Sequence, residues 1–226
     1  MKLLPGLALV ALSVSAPVAA QAPAPAKSPS ELVQARDKLR EGKPEEALAL
    51  VAPIVARAEA AEAKDPAAIC PAQAVAFLGA LMQRGGNLNV TISIHNDWCD
   101  AMLVQGYALG ELKRYGEAAD RLGKLVGHDK DNANYLAEYA FALRANGQND
   151  AAMTYYNKVK DVASRFSDKP NQRRWRAVAL RGIGYIEFDR ANWKAAETAY
   201  RDSLKEEPGN PIALRELELI RQKQAE

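Results

Sequence analysis

The chain has 226 residues, 48% of them hydrophobic, which is enough for one solenoid or one ordinary domain with a core. Its 30 Lys and Arg nearly balance 28 Asp and Glu, and this near-neutral charge argues against a general nucleic-acid or membrane-surface binder. Two cysteines and two histidines leave few side chains for metal or nucleophilic chemistry.

The first 20 residues have the pattern of a signal peptide. Lys2 precedes an apolar run over 3–16, and small residues lead up to Ala20. The run is shorter than the roughly 20 residues of a membrane-spanning helix, although an uncleaved N-terminal anchor is the alternative. We therefore predict cleavage between Ala20 and Gln21, no transmembrane segment in the mature protein, and a periplasmic or secreted location. The Ala/Pro-rich stretch 21–30 is predicted to be a linker.

The rest of the chain repeats itself. Segments 114–133 and 190–211 each place an aromatic residue three positions before an alanine, and apolar residues follow at helical spacing. A third copy lies between them. The repeated alanines are Ala118, Ala152 and Ala196, and a small residue lies twelve positions before each: Gly106, Ala140 and Gly184. The first two alanines are 34 residues apart, and the last interval contains ten extra residues, 167–176.

This period, with small residues where two helices would touch, resembles the tetratricopeptide repeat (TPR) family. The resemblance implies an all-α fold, a right-handed superhelical solenoid of antiparallel helix pairs; a non-repetitive helical bundle is the alternative. Within a TPR-like domain at 31–226 we place the repeats at about 28–61, 99–132, 133–166 and 177–210, an irregular segment at 62–98 and a capping helix at 211–224. Asn210 is predicted to cap that last helix, Pro211 to begin it, and its outer face to be polar.

The segment IHNDWCDAM (94–102) gathers the residue types of a reactive site. A nucleophilic Cys99 would need His95 as its base, and a metal site would need Cys70 and an aspartate as further ligands. The two aspartates oppose a thiolate, and the tight cysteine pairs of structural zinc are missing. We therefore predict a disulfide between Cys70 and Cys99, with unpaired thiols as the alternative, and neither a metal nor a cofactor. Asn96 is the expected N-cap of the helix that holds Cys99 in its first turn.

The TPR resemblance also implies a concave surface lined by the first helix of each repeat. The ninth position of that helix is aromatic in the three clearest repeats, whereas members that bind chaperone tails favour asparagine there. The predicted partner-binding groove consists of Tyr107, Phe141, Tyr185, Arg144, Arg181, Phe188, Glu111 and Asn134. The same register brings Arg36, Arg40, Asp100 and Asp189 to this face. The alternative is that the rings pack between adjacent repeats as core.

We accordingly predict a non-catalytic scaffold of the bacterial cell envelope that captures a segment of another envelope protein or a peptide. The alternatives are a module for glycan or polymer export and cell-wall assembly, and a thiol enzyme that uses Cys99. The basic-aromatic cluster 171–178 is predicted to extend the helix that follows it, with Pro170 in the first turn, rather than to bind nucleic acid. His128 is predicted to be a solvated surface residue.

Overall fold

The computed structural model describes residues 30–64 and 97–225, and the regular structure in these two ranges is entirely α-helical. The helices are α1 (Glu31–Arg40), α2 (Pro44–Glu62), α3 (Trp98–Glu111), α4 (Tyr115–His128), α5 (Ala133–Ala145), α6 (Asn149–Ser164), α7 (Lys169–Asp189), α8 (Trp193–Glu206) and α9 (Pro211–Ala225). The predicted all-α class is confirmed. The signal peptide, most of the linker and most of the irregular segment lie outside the described residues. Within the described part of the chain, no helix combines the length and apolarity needed to cross a bilayer.

The helices pack as consecutive pairs. Each of α1, α3, α5 and α7 contacts the helix that follows it, and the short turn between the two makes the pair antiparallel. These four, the first helices, also contact one another in sequence: α1 with α3, α3 with α5, and α5 with α7. The inner face of the solenoid is the side on which the first helices meet. The second helices α2, α4, α6 and α8 form the opposite layer.

The same backbone conformation reverses the chain within every pair. One residue of each turn has a positive φ of 58–79°, five positions before the repeated alanine: Gly42, Lys113, Gly147 and Ala191. Glycine adopts this left-handed conformation without cost, whereas lysine and alanine do so at about 1 kcal/mol. The turn geometry is therefore set by the helix pairing, and it is retained where the local residue disfavours it.

The repeated small residues lie where the two helices of a pair approach most closely, as the sequence predicted. A Cβ atom added at Gly106 would lie 2.6 Å from Leu122 Cδ2, and one at Gly184 would lie 2.8 Å from Tyr200 Cζ. Ala140 is completely buried at the equivalent position. Gly106 and Gly184 therefore each admit a large side chain of the second helix into the core.

Helix α7 begins at Lys169, eight residues before the predicted repeat boundary at 177. Pro170 lies in its first turn, so the ten extra residues extend the helix by about two turns, as predicted for the basic-aromatic cluster. Arg173 uses this extension: its Nε donates a 3.0 Å hydrogen bond to the carbonyl oxygen of Glu206 at the end of α8. The cluster thus satisfies backbone carbonyls that the end of α8 leaves unpaired.

The last helix is capped as predicted, but its outer face is not polar. Asn210 Oδ1 accepts hydrogen bonds from the backbone N–H of Ile212 (3.1 Å) and of Ala213 (3.2 Å). Ile212, Leu214 and Leu219 are exposed by 42%, 51% and 38%. The prediction of a polar outer face was wrong. Helix α9 packs mainly against α8, which covers only one stripe of its surface, and the apolar residues of α9 extend beyond that stripe.

Candidate functional site

Along the inner face, polar contacts join each first helix to the next one and join α7 to α9. An ion pair or a hydrogen bond lies at every junction: Arg36–Asp100 (2.7 Å, α1–α3), Tyr107–Asn134 (3.4 Å, α3–α5), Arg144–Asp189 (3.5 Å, α5–α7) and Tyr185–Glu216 (3.5 Å, α7–α9). Seven of these eight residues come from the groove register read in the sequence, and Glu216 is the addition. The repeat register therefore places most of the predicted site residues on one continuous surface.

The three aromatic residues of the ninth position differ in exposure. Phe141, in the middle of the row, is exposed by 41%, whereas Tyr107 and Tyr185 are half-buried. Tyr185 packs edge-on against Tyr200 of α8, with ring centroids 5.7 Å apart. The groove interpretation therefore applies to Phe141, which faces solvent. Tyr107 and Tyr185 are each partly in the groove and partly in the core.

Arg144 links two of these rings. Its guanidinium carbon lies 5.8 Å from the centroid of Phe141 and 4.9 Å from that of Tyr185, both within cation–π range. The Nε atom of Arg144 is buried and has no hydrogen-bond partner among the described residues. The surface formed by Tyr107, Phe141, Arg144 and Tyr185 on α3, α5 and α7 is called the inner groove below.

Two residues predicted for the groove have other partners. Arg181 Nη1 lies 2.5 Å from Glu207 Oε2, just after α8, and its side chain is only 13% exposed. Phe188 packs edge-on against Trp193, with centroids 5.0 Å apart, beside the small core formed by α8 and α9. Both side chains therefore stabilise the last repeat instead of extending the groove. Glu111 is exposed at the rim of a cavity described next.

A cavity of about 470 Å³ opens between α3, α4 and α5, next to the inner groove. Tyr107 and Phe141 line one side, Tyr115 of α4 lines another, and the carboxyl group of Glu138 lies among them. Burial raises the pKa of Glu138 from its ordinary 4.5 to about 7, and a hydrogen bond with Tyr107 opposes the shift. We call this cavity the Glu138 pocket.

Sequence reasoning missed Glu138. The only available signal was a single acidic residue within the otherwise apolar stretch NYLAEYAFAL of α5. A lone acid in a helix is usually a solvated surface residue. Its enclosure here comes from α3, whose Tyr107 is 31 residues away in the sequence.

A larger opening of about 830 Å³ lies on the opposite side of the solenoid, between α6 and α8. Met153, Ile183 and Trp193 supply much of its apolar lining. Of its two acidic residues, Glu187 already accepts a 2.7 Å hydrogen bond from Asn192, and Asp202 pairs with Lys205. None of the residues predicted for the partner site lines this opening, and we place the candidate site on the inner face for that reason.

The reactive-looking segment lies at the start of α3. Cys99 is buried in the first turn of α3, as predicted, but the N-cap is Asp97, so the prediction of Asn96 was wrong by one residue. Cys70 and His95 lie outside the described residues, so the disulfide stays a prediction. In the described ranges, no three His, Cys, Asp or Glu side chains come together as metal ligands would.

His128 is not solvated, contrary to the prediction. Its side chain is 12% exposed, and its Nε2 atom lies 3.5 Å from Glu62 Oε1. The imidazole ring also lies 6.2 Å from the ring of Trp98. The end of α2 and the start of α3 converge on the end of α4 and enclose this residue, a contact that depends on chain segments distant in sequence.

Comparison with solved structures identifies the architecture. The chain is similar to MamA, with a TM-score of 0.53 and 14% sequence identity over 84% of this chain and 84% of MamA. The TPR domain of Sgt2 from Aspergillus fumigatus covers 56% of this chain and 79% of its own length, with 25% identity and a TM-score of 0.47. The first TPR domain of human RPAP3 covers 57% and 94%, with 21% identity and a TM-score of 0.49. No protein-family model and no curated relative matches. The chain has the fold of a TPR solenoid.

Proposed function

We propose that the protein is a non-catalytic scaffold of the bacterial cell envelope that captures a segment of another protein in the inner groove. The exposed ring of Phe141, at the centre of that groove, is the observation that carries the proposal. Large aromatic side chains gain much of the binding free energy at protein interfaces because they bury apolar area at low entropic cost.

The surroundings of Phe141 support a role in binding. Arg144 is held beside the ring by Asp189 and Tyr185, so an incoming segment meets an apolar face next to a positioned guanidinium group. Arginine in this position offers directed hydrogen bonds to backbone carbonyls or carboxylates of a partner. The rigid helix pairs hold both groups in place, which lowers the ordering cost of binding.

The envelope location rests on the sequence. The apolar run at 3–16 and the small residues before Gln21 favour export, and the predicted Cys70–Cys99 bridge suits an oxidising compartment. Fractionation of cells and N-terminal sequencing of the mature chain test this part. A cytosolic chain that retains Lys2 would contradict it.

Photo-crosslinking in the native host tests the binding role. A photoreactive amino acid at position 141 is expected to crosslink a discrete partner that mass spectrometry identifies, whereas the same group at position 214 is not. Leu214 is the matched control because it is apolar, 51% exposed and located on the outer face of α9.

Alanine variants make the same comparison on purified protein. Phe141→Ala is expected to lose partner capture and Leu214→Ala to retain it, and both should melt like the wild type because exposed substitutions change stability by about 0.5 kcal/mol or less. Equal capture by the two variants would refute the groove. Retention of cell-wall glycan in place of protein, with the same dependence on Phe141, would favour the glycan-binding alternative.

A further inference from the structure

The Glu138 pocket has features that the groove proposal does not use. Its walls include the rings of Tyr107, Tyr115 and Phe141, and the Glu138 carboxyl group lies between them. The pocket borders the inner groove because Tyr107 and Phe141 belong to both surfaces. A segment bound across Phe141 would therefore pass the pocket entrance.

The charges around the pocket are unbalanced. None of the ion pairs within the described residues includes Glu138, and its hydrogen-bonding neighbour is Tyr107. Glu111 adds a second carboxylate at the rim, and Lys113, a cation among the lining residues, is exposed on the turn after α3. Arg144 is engaged by Asp189. The partly buried carboxylate of Glu138 thus forms an ion pair with no cation of the described residues.

The entrance is free of a side chain at one point. Gly110 lies on the pocket lining, and a Cβ atom added there would meet only Phe141 Cε1, at 3.9 Å. This distance is an ordinary van der Waals contact, so the glycine is not required by helix packing, in contrast with Gly106 one turn earlier. Its effect is to leave space beside Phe141.

We propose that the Glu138 pocket binds the cationic side chain of a lysine or arginine in the captured segment. The proposal deepens the proposed function and rests on it, since it names the chemistry that the partner segment carries. Aromatic rings attract a cation through their negative faces, and a carboxylate at the end of the pocket completes the charge pair. A neutral or acidic side chain would leave the carboxylate desolvated and unpaired.

Binding of a cation also relieves an unfavourable state of the free protein. Burial disfavours the charged form of Glu138, and a cation at hydrogen-bonding distance would favour it. Binding should therefore weaken as the pH falls through about 7 and the carboxyl group becomes protonated. The titratable and charged groups that face Glu138 or its neighbour Tyr107 from the surrounding elements are Glu111, Lys113, Tyr115, Arg144, Tyr156 and Arg174.

Two small probes separate charge from shape. Nα-acetyl-arginine amide carries the guanidinium group, and Nα-acetyl-citrulline amide has nearly the same shape without the charge. Titration of the isotope-labelled full chain, followed by NMR at the amides of Gly106 and Gly110, is expected to show saturable binding of the arginine probe. The affinity of the citrulline probe should be lower by about tenfold or more, since a hydrogen bond to a charged group is lost.

Variants assign the binding to the pocket. Glu138→Gln keeps the size of the side chain and should lower the affinity for the arginine probe about tenfold or more. The affinity of this variant should also stay constant between pH 8 and pH 6. Gly110→Leu fills the entrance and should block the probe. Glu117→Gln is the control, because Glu117 is an exposed carboxylate on α4 that pairs with Arg114 outside the pocket.

The outcomes distinguish the two proposals. Equal binding of the arginine and citrulline probes, or unchanged binding of arginine to Glu138→Gln, would overturn the cation pocket. Crosslinking at position 141 would then still support the scaffold. Binding of the probe that depends on Glu138, in a protein that crosslinks nothing at position 141, would refute the scaffold and the captured segment as the ligand, while the affinity of the pocket for a cation would stand.

Discussion

The closest packing between the helices of the last pair makes Gly184 the sharpest test of the repeat register. Replacement by alanine would place a Cβ atom 2.8 Å from Cζ and 2.9 Å from both Cε atoms of Tyr200. Carbon atoms in protein cores pack at about 3.5–4.0 Å. Tyr200 of α8 is completely buried against α7 and α9, so its ring cannot move away without displacing a neighbouring helix.

Two opposing effects set the size of the loss. Overpacking of a core by one methyl group costs about 1–3 kcal/mol. The replacement of a glycine by alanine inside a helix returns up to about 1 kcal/mol of helix propensity. We therefore expect Gly184→Ala to lower the free energy of unfolding by about 1–2 kcal/mol, which corresponds to a fall in Tm of roughly 2–8 °C for a chain of this length.

Urea unfolding followed by circular dichroism measures the change. Gly110→Ala is the matched control, because it is a helical glycine two pairs earlier whose new Cβ would lie 3.9 Å from the nearest atom. The control should gain up to about 1 kcal/mol from propensity alone. If Gly184→Ala is as stable as Gly110→Ala, the close approach is not a packing constraint and the reasoning is refuted.

The other predictions concern a turn, a buried carboxyl group and the cysteines. Ala191→Gly should stabilise the protein by about 0.5–1 kcal/mol because φ is +58° at this position. Gly147→Ala should destabilise it by about 1 kcal/mol because φ is +79° there. Thermal melts measure both changes. The folded-state pKa of Glu138 is raised from 4.5 to about 7, so its stabilising contribution is complete below pH 4.5 and is lost as the pH rises through 7. The free energy of unfolding of Glu138→Gln should therefore rise relative to that of the wild type by up to about 3 kcal/mol across this window, as measured by urea titrations. In the non-reduced, denatured chain a thiol assay should find no thiol, and reduction should cost about 3–4 kcal/mol if Cys70 and Cys99 are bridged.

A specific result would contradict each of these predictions. Loss of stability in Ala191→Gly would mean that the alanine contributes contacts outweighing its strained φ. A constant difference between Glu138→Gln and the wild type from pH 4.5 to 8 would show that the carboxyl group is solvated. Detection of two reactive thiols would refute the Cys70–Cys99 disulfide and would support the alternative in which Cys99 is a nucleophile.

The helix pairs and their register could be predicted because they depend on local spacing. A helix places residues three, four and seven positions apart on one face, so the recurrence of Ala118, Ala152 and Ala196 was sufficient to align the repeats. The need for a small residue opposite a large one follows from the distance between paired helices, and the structure bears it out at Gly106 and Gly184. The same register brought the candidate groove residues to one face.

The tertiary structure decided which of those residues are available to a partner. Arg181 is engaged by Glu207, which lies 26 residues further along the chain, and His128 is enclosed by α2 and the start of α3. Glu138 became the most perturbed carboxyl group of the site because α3 covers it, although its own sequence shows only one acidic residue within an apolar stretch. Periodicity reports the face on which a side chain lies, whereas burial and electrostatic environment depend on neighbours contributed by other helices. Sequence alone therefore determined the solenoid and its inner face, and only the packing of successive pairs left Phe141 exposed beside a carboxylate that forms an ion pair with none of the described residues.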